Sequence, residues 1–154
     1  MSQKSKFIFG FVAILIIGAI LFFVGSGKFY DSKNSDIIFK DDITKCDLHV
    51  KSCEMVFEGD KTISLELGGK PLKAGKSLKY SIKTKGFSDK EFFVSVVGVN
   101  MNMGLFEFVA KKINEGEYEA NALLPTCISG RMTWKISVIS KKEKIGANYI
   151  LELE

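Results

Sequence analysis

From Cys53 to the C-terminus, apolar and polar positions alternate with a period of two. Met55 and Phe57 alternate with Glu54 and Glu58, and Ile63, Leu65 and Leu67 with Thr62, Ser64 and Glu66. Successive side chains of a strand point to opposite faces, so this pattern predicts strands with one buried face. It continues through Leu78, Tyr80 and Ile82, becomes nearly continuous apolar sequence over residues 92–99, and returns over 105–110, 118–123, 132–138 and 149–153. Clusters such as Glu58-Gly59-Asp60-Lys61 separate the runs, giving about eight strands at the spacing of a sandwich or barrel. No stretch after residue 25 has helical periodicity. The expected fold is all-β, an immunoglobulin-like antiparallel β-sandwich. Trp134 alternates with Met132, Ile136 and Val138, which predicts its indole at the centre of the core.

A different pattern precedes the alternation. Residues 7–25 contain no charged or strongly polar side chain, enough as a helix to cross a hydrocarbon core of roughly 30 Å. A cleaved signal has a shorter apolar region, about 7 to 15 residues, ending in a small-x-small site. This run ends Phe22-Phe23-Val24-Gly25, so it reads as one retained N-terminal transmembrane helix. Lys4 and Lys6 favour an inside tail. The expected organisation is a cytoplasmic tail over 1–6, an anchor in the lipid bilayer over 7–25, a tether over 26–45, and an outward-facing sandwich over 46–154.

Composition refines this picture in three ways. The 154 residues suit one domain after the anchor is removed. The net charge of +4 includes Lys4 and Lys6, and the outward part has no basic stripe, which argues against a nucleic-acid partner. The three cysteines, Cys46, Cys53 and Cys127, all follow the anchor, on the side of a membrane that permits disulfides.

In an antiparallel sandwich, successive connections fall at alternate ends. One end then collects the charged turns at 58–61, 85–89, 112–117 and 140–144. The other collects the segment into Cys53, the 68–76 loop, Asn100-Met101-Asn102-Met103-Gly104 and residues 124–130, together with the incoming tether. Thioether and thiolate sulfur suit Cu(I), and imidazole suits copper in either state. Met101, Met103, His49 and Cys46 are therefore candidate copper ligands at this second end. The competing reading assigns the methionines to core packing and the cysteines to a structural bridge. The preferred bridge joins Cys53 to Cys127, closing a loop of roughly seventy residues worth about 4 kcal/mol. A Cys46–Cys53 bond requires the segment between them to bend. Catalysis by a Cys-His device would need the single histidine, His49, beside Cys127, and no glycine-rich phosphate loop is present. A non-enzymatic domain is expected, with thiol-disulfide exchange through Cys127 as a further alternative.

Cys46-Asp47-Leu48-His49 followed by Cys53, Val99-Asn100-Met101-Asn102-Met103-Gly104, Gly116 and Tyr118 before a strand, Leu124-Pro125 with Cys127, and Met132 with Trp134 resemble a family of small bacterial single-anchor periplasmic proteins. More distantly, the chain is similar to the YtkA-like and FixH domains. That resemblance implies an immunoglobulin-like fold, attachment to the bacterial cytoplasmic membrane with the C-terminal domain in the periplasm, and an accessory role toward another envelope protein such as a respiratory complex.

Overall fold

The computed structural model describes residues 36–42, 45–73, 75–125 and 131–153. The anchor, the inside tail, most of the tether and Cys127 lie outside the described residues. Among the described residues nine strands form one sheet: β1 (Ile38–Asp41), β2 (Cys53–Phe57), β3 (Lys61–Gly68), β4 (Ser77–Lys85), β5 (Glu91–Gly98), β6 (Leu105–Asn114), β7 (Glu117–Leu123), β8 (Met132–Ser140) and β9 (Ile145–Leu153). Their order is β1-β9-β8-β5-β6-β7-β4-β3-β2. The described residues contain no helix. All neighbours are antiparallel except β1, which runs parallel to β9.

The sheet curls until it nearly closes. Tyr149 on β9 donates its hydroxyl to the Ile63 carbonyl on β3 at 2.8 Å, although six steps of the strand order separate the two. At the sheet's margins, Lys40 Nζ on β1 reaches the Val56 carbonyl on β2 at 2.6 Å. The alternating apolar residues fill the enclosed space. Ile63, Leu65, Leu67, Leu78, Tyr80, Ile82, Phe92 and Trp134 are all buried, Trp134 among them as its spacing predicts. On β8 the alternation breaks down, because Ser137 and Ile139 on the other face are buried too, and the polar Ser140 sits on the core face. Polar pairing makes this tolerable: Ser137 donates to Asn148 Oδ1 at 2.6 Å, and Ser140 to Asp89 at 2.9 Å.

The apolar knot Ile37-Ile38-Phe39, expected within the tether, instead supplies β1. Ile38 N donates to the Lys144 carbonyl at 2.9 Å, and Lys144 pairs with Asp36 at 3.1 Å. The chain therefore joins the sheet at the end that carries the charged turns. This corrects the reading of residues 38–41 as tether: they run as a strand from that end and deliver the chain, at Asp42 and Lys45, to the sulfur-rich end. The physical reason is the glycine at position 146: the Phe39 ring lies where a Cβ of Gly146 would sit, so the two pack only with β1 alongside the start of β9.

Candidate cleft at the disulfide end

From β2 to β9 the strands alternate in direction, so the expected sorting of their connections holds. At one end, residues 45–52, the β3–β4, β5–β6 and β7–β8 connections and the C-terminus of β9 come together. Hydrogen bonds clamp them. Asn100 Nδ2 donates to the Arg131 carbonyl and Asn100 Oδ1 accepts from Thr133 N, both at 3.1 Å, while Val99 N donates to the Thr133 carbonyl at 2.8 Å. Lys70 Nζ donates to the Val50 carbonyl at 2.8 Å, and Gly75 N to the Leu124 carbonyl at 2.8 Å. The β5–β6 turn is pressed so closely on Gly98 that the Met101 carbonyl occupies the place of a Cβ there.

Residues 45–52 fold back on themselves because Asp47 organises them. Its carboxylate accepts from His49 N at 2.8 Å, and its carbonyl accepts from Val50 N at 3.2 Å and Lys51 N at 3.1 Å. This local side-chain turn brings the Cα atoms of Cys46 and Cys53 to 5.7 Å, and the two are joined by a disulfide. Leu48, 1 % exposed, plugs the end of the core inside the loop.

The bridge is thus Cys46–Cys53, and Cys53 has no sulfur to offer Cys127. The expected Cys53–Cys127 pairing is corrected by the bend that Asp47 imposes. Cys46 is likewise not a thiolate ligand in this oxidised state. His49 Nε2 lies 2.7 Å from the Glu152 carbonyl; a carbonyl only accepts, so Nε2 carries the proton in this contact, and the second ring nitrogen, Nδ1, is not engaged by it. Met103 packs partly buried against the core, and Met101 is 37 % exposed. The four expected copper ligands, Met101, Met103, His49 and Cys46, thus lie at one end of the sheet, Cys46 bridged to Cys53.

Beside the bridge lies an open cleft of about 1190 Å³. Lys45, Lys73 and Arg131 contribute positive charge, Asp42, Asp47 and Glu152 negative charge, and Leu72, Leu151 and Leu153 apolar surface. Asp42 accepts from Cys46 N at 3.1 Å and so stands at the base of the loop. Asp42, Leu72 and Arg131 had no distinguishing signal in the sequence, and Asn100, though part of the Asn100–Gly104 stretch, gave no sign of its clamp on Arg131 and Thr133. Comparison with protein families, curated proteins and solved structures finds no match to this chain.

Proposed function

We propose that this chain is an accessory domain of the bacterial envelope, held in the cytoplasmic membrane by residues 7–25 and facing the periplasm, with no catalysis of its own. Its cleft receives a segment of another envelope protein. The observation that carries the reading is the cleft itself: an open surface of interleaved charges over apolar residues, framed by four clamped connections and a disulfide. Such a surface is preorganised, so a partner binds it without the cost of ordering it.

We read the nearly closed sheet as an immunoglobulin-like sandwich. In support, β6 and β7 pair only over their adjoining ends, from Lys111 to Asn114, which leaves β2-β3-β4-β7 and β6-β5-β8-β9-β1 as two groups. Tyr80 meets Phe108, and Phe92 meets Tyr118, across them with ring centroids 4.8 and 4.7 Å apart.

The test is site-directed photocrosslinking in native membranes from Lys73, in the cleft, and from Lys112, at the other end. A discrete adduct is expected from Lys73 alone, identified as an envelope protein and lost on Arg131→Glu. Equal labelling from both positions would sink the reading. A second reading, thiol-disulfide exchange, is favoured by one observation: Cys46 is partly exposed on the cleft. It runs through Cys46–Cys53, and a reduction potential below about −300 mV would argue for a purely structural bond.

A further inference from the structure

The bridge and its neighbour Asp42 have the chemistry of a metal site once the bridge is opened. The Cys46 and Cys53 sulfurs and an Asp42 carboxylate oxygen all lie within 4.8 Å of one another. We propose that reduction of Cys46–Cys53 creates a site for a thiophilic cation of the Zn2+ class, ligated by Cys46 Sγ, Cys53 Sγ and Asp42.

The three groups stay together when the bond is cut, because the bond is not what positions their backbones. Cys53 opens β2 and is in register with Leu65 on β3. Asp42 directly follows β1, with its N–H on the Asn148 carbonyl at 3.0 Å. Cys46 is tied to Asp42 through its own N–H at 3.1 Å, and the Asp47 turn holds residues 47–51 by main-chain contacts that reduction leaves in place. Two sulfurs at about 2.3 Å from one tetrahedral zinc are roughly 3.8 Å apart. Side-chain rotation from Cα atoms 5.7 Å apart reaches that separation without moving the strands.

Two thiolates and a carboxylate select against Mg2+ and Ca2+, which take oxygen ligands. Asp42 and Cys46 line the cleft, so the fourth position faces solvent and is filled by water or by a group of a bound partner, the arrangement of an open rather than a closed zinc site. The chemistry balances with a dithiol as reductant: its two electrons cleave the S–S bond, its two protons give two cysteine thiols, and it leaves as a disulfide. The metal then displaces both thiol protons. The oxidation state of the bridge thereby decides whether the site exists. This assignment stands apart from the partner-binding reading, since its probe is the metal alone.

The full chain carrying Cys127→Ser, so that the third thiol cannot contribute, is reduced with a phosphine under anaerobic conditions and titrated with Zn2+ against a chromophoric chelator. The expected result is one Zn2+ per reduced chain, none on the oxidised chain at micromolar metal, and a cobalt-substituted form with a thiolate charge-transfer band. Asp42→Asn keeps both cysteines, and hence the folded oxidised state, and is expected to weaken Zn2+ binding by roughly tenfold or more, since changing even a group that only supports a ligand costs about tenfold to a hundredfold. Absence of Zn2+ from the reduced chain, equal binding by the oxidised chain, or an unchanged affinity in Asp42→Asn overturns the proposal.

Discussion

Tyr80 carries its hydroxyl into the core, where the oxygen has no hydrogen-bond partner among the described residues. Burial pushes its pKa up from 10.0 to about 12. Tyr118 and Tyr149 are raised as well, first by burial and then by the carboxylates of Asp89 and of Asp42 and Glu54 respectively. Above pH 10 the unfolded chain releases the Tyr80 proton while the folded chain retains it, so the folded state binds more protons and stability falls as pH rises. The contribution is whole below about pH 10 and is lost on the way to about pH 12. Tyr80→Phe is expected to flatten that alkaline loss in part, the other two tyrosines remaining. It is also expected to raise stability near neutral pH by about 1 kcal/mol, because a buried unpaired hydroxyl is costly. Urea unfolding from pH 8 to 11.5, followed by tyrosinate absorbance, reads both effects. At this scale the sequence is informative about burial and silent about partners. The period of two placed Tyr80 and Trp134 inside, but nothing in it distinguishes Tyr149, whose hydroxyl finds Ile63, from Tyr80, whose hydroxyl finds nothing.

Among the elements, the loop closed by Cys46 and Cys53 has the most direct energetic consequence. A sequence separation of 7 gives an entropic gain of about 2.5 kcal/mol in the unfolded chain, against about 4 for a bridge closing roughly seventy residues. Reduction is therefore expected to lower the unfolding free energy by about 2.5 kcal/mol while the sheet persists, which urea midpoints with and without a phosphine will measure. Non-reducing peptide mapping will return the Cys46 and Cys53 peptides joined and the Cys127 peptide separate. The pairing was hard to read from sequence because extended chain between the two cysteines would hold them far apart, and the bend that brings them together rests on a few local contacts to Asp47 and Asp42. β1 was illegible for a related reason. Its four residues are all exposed, so no alternation marks them, and the signal that does exist sits on the far strand, in a glycine at 146 that a ring can cover.

For the whole molecule, the strand directions were legible because alternation is robust to errors in strand ends, and the pole that gathers the connections followed from counting. What counting omits is closure. β9 would be an open margin if the antiparallel strands were all there is, and an open margin of backbone donors and acceptors is a template for another chain. Here it is covered over Ile145–Asn148 and again at Glu152: β1 pairs Ile145 to Asn148, Asp42 N takes the Asn148 carbonyl, and His49 takes the Glu152 carbonyl. A chain beginning at Lys45 is expected to form soluble oligomers and fibrils that the chain beginning at Asp36 does not, detectable by light scattering and thioflavin fluorescence. β1 itself is short and bears Lys40, which turns inward to Val56, so the guard strand recruits no successor. The short apolar knot that looked like linker thus keeps neighbouring copies from continuing the sheet that this chain leaves unfinished.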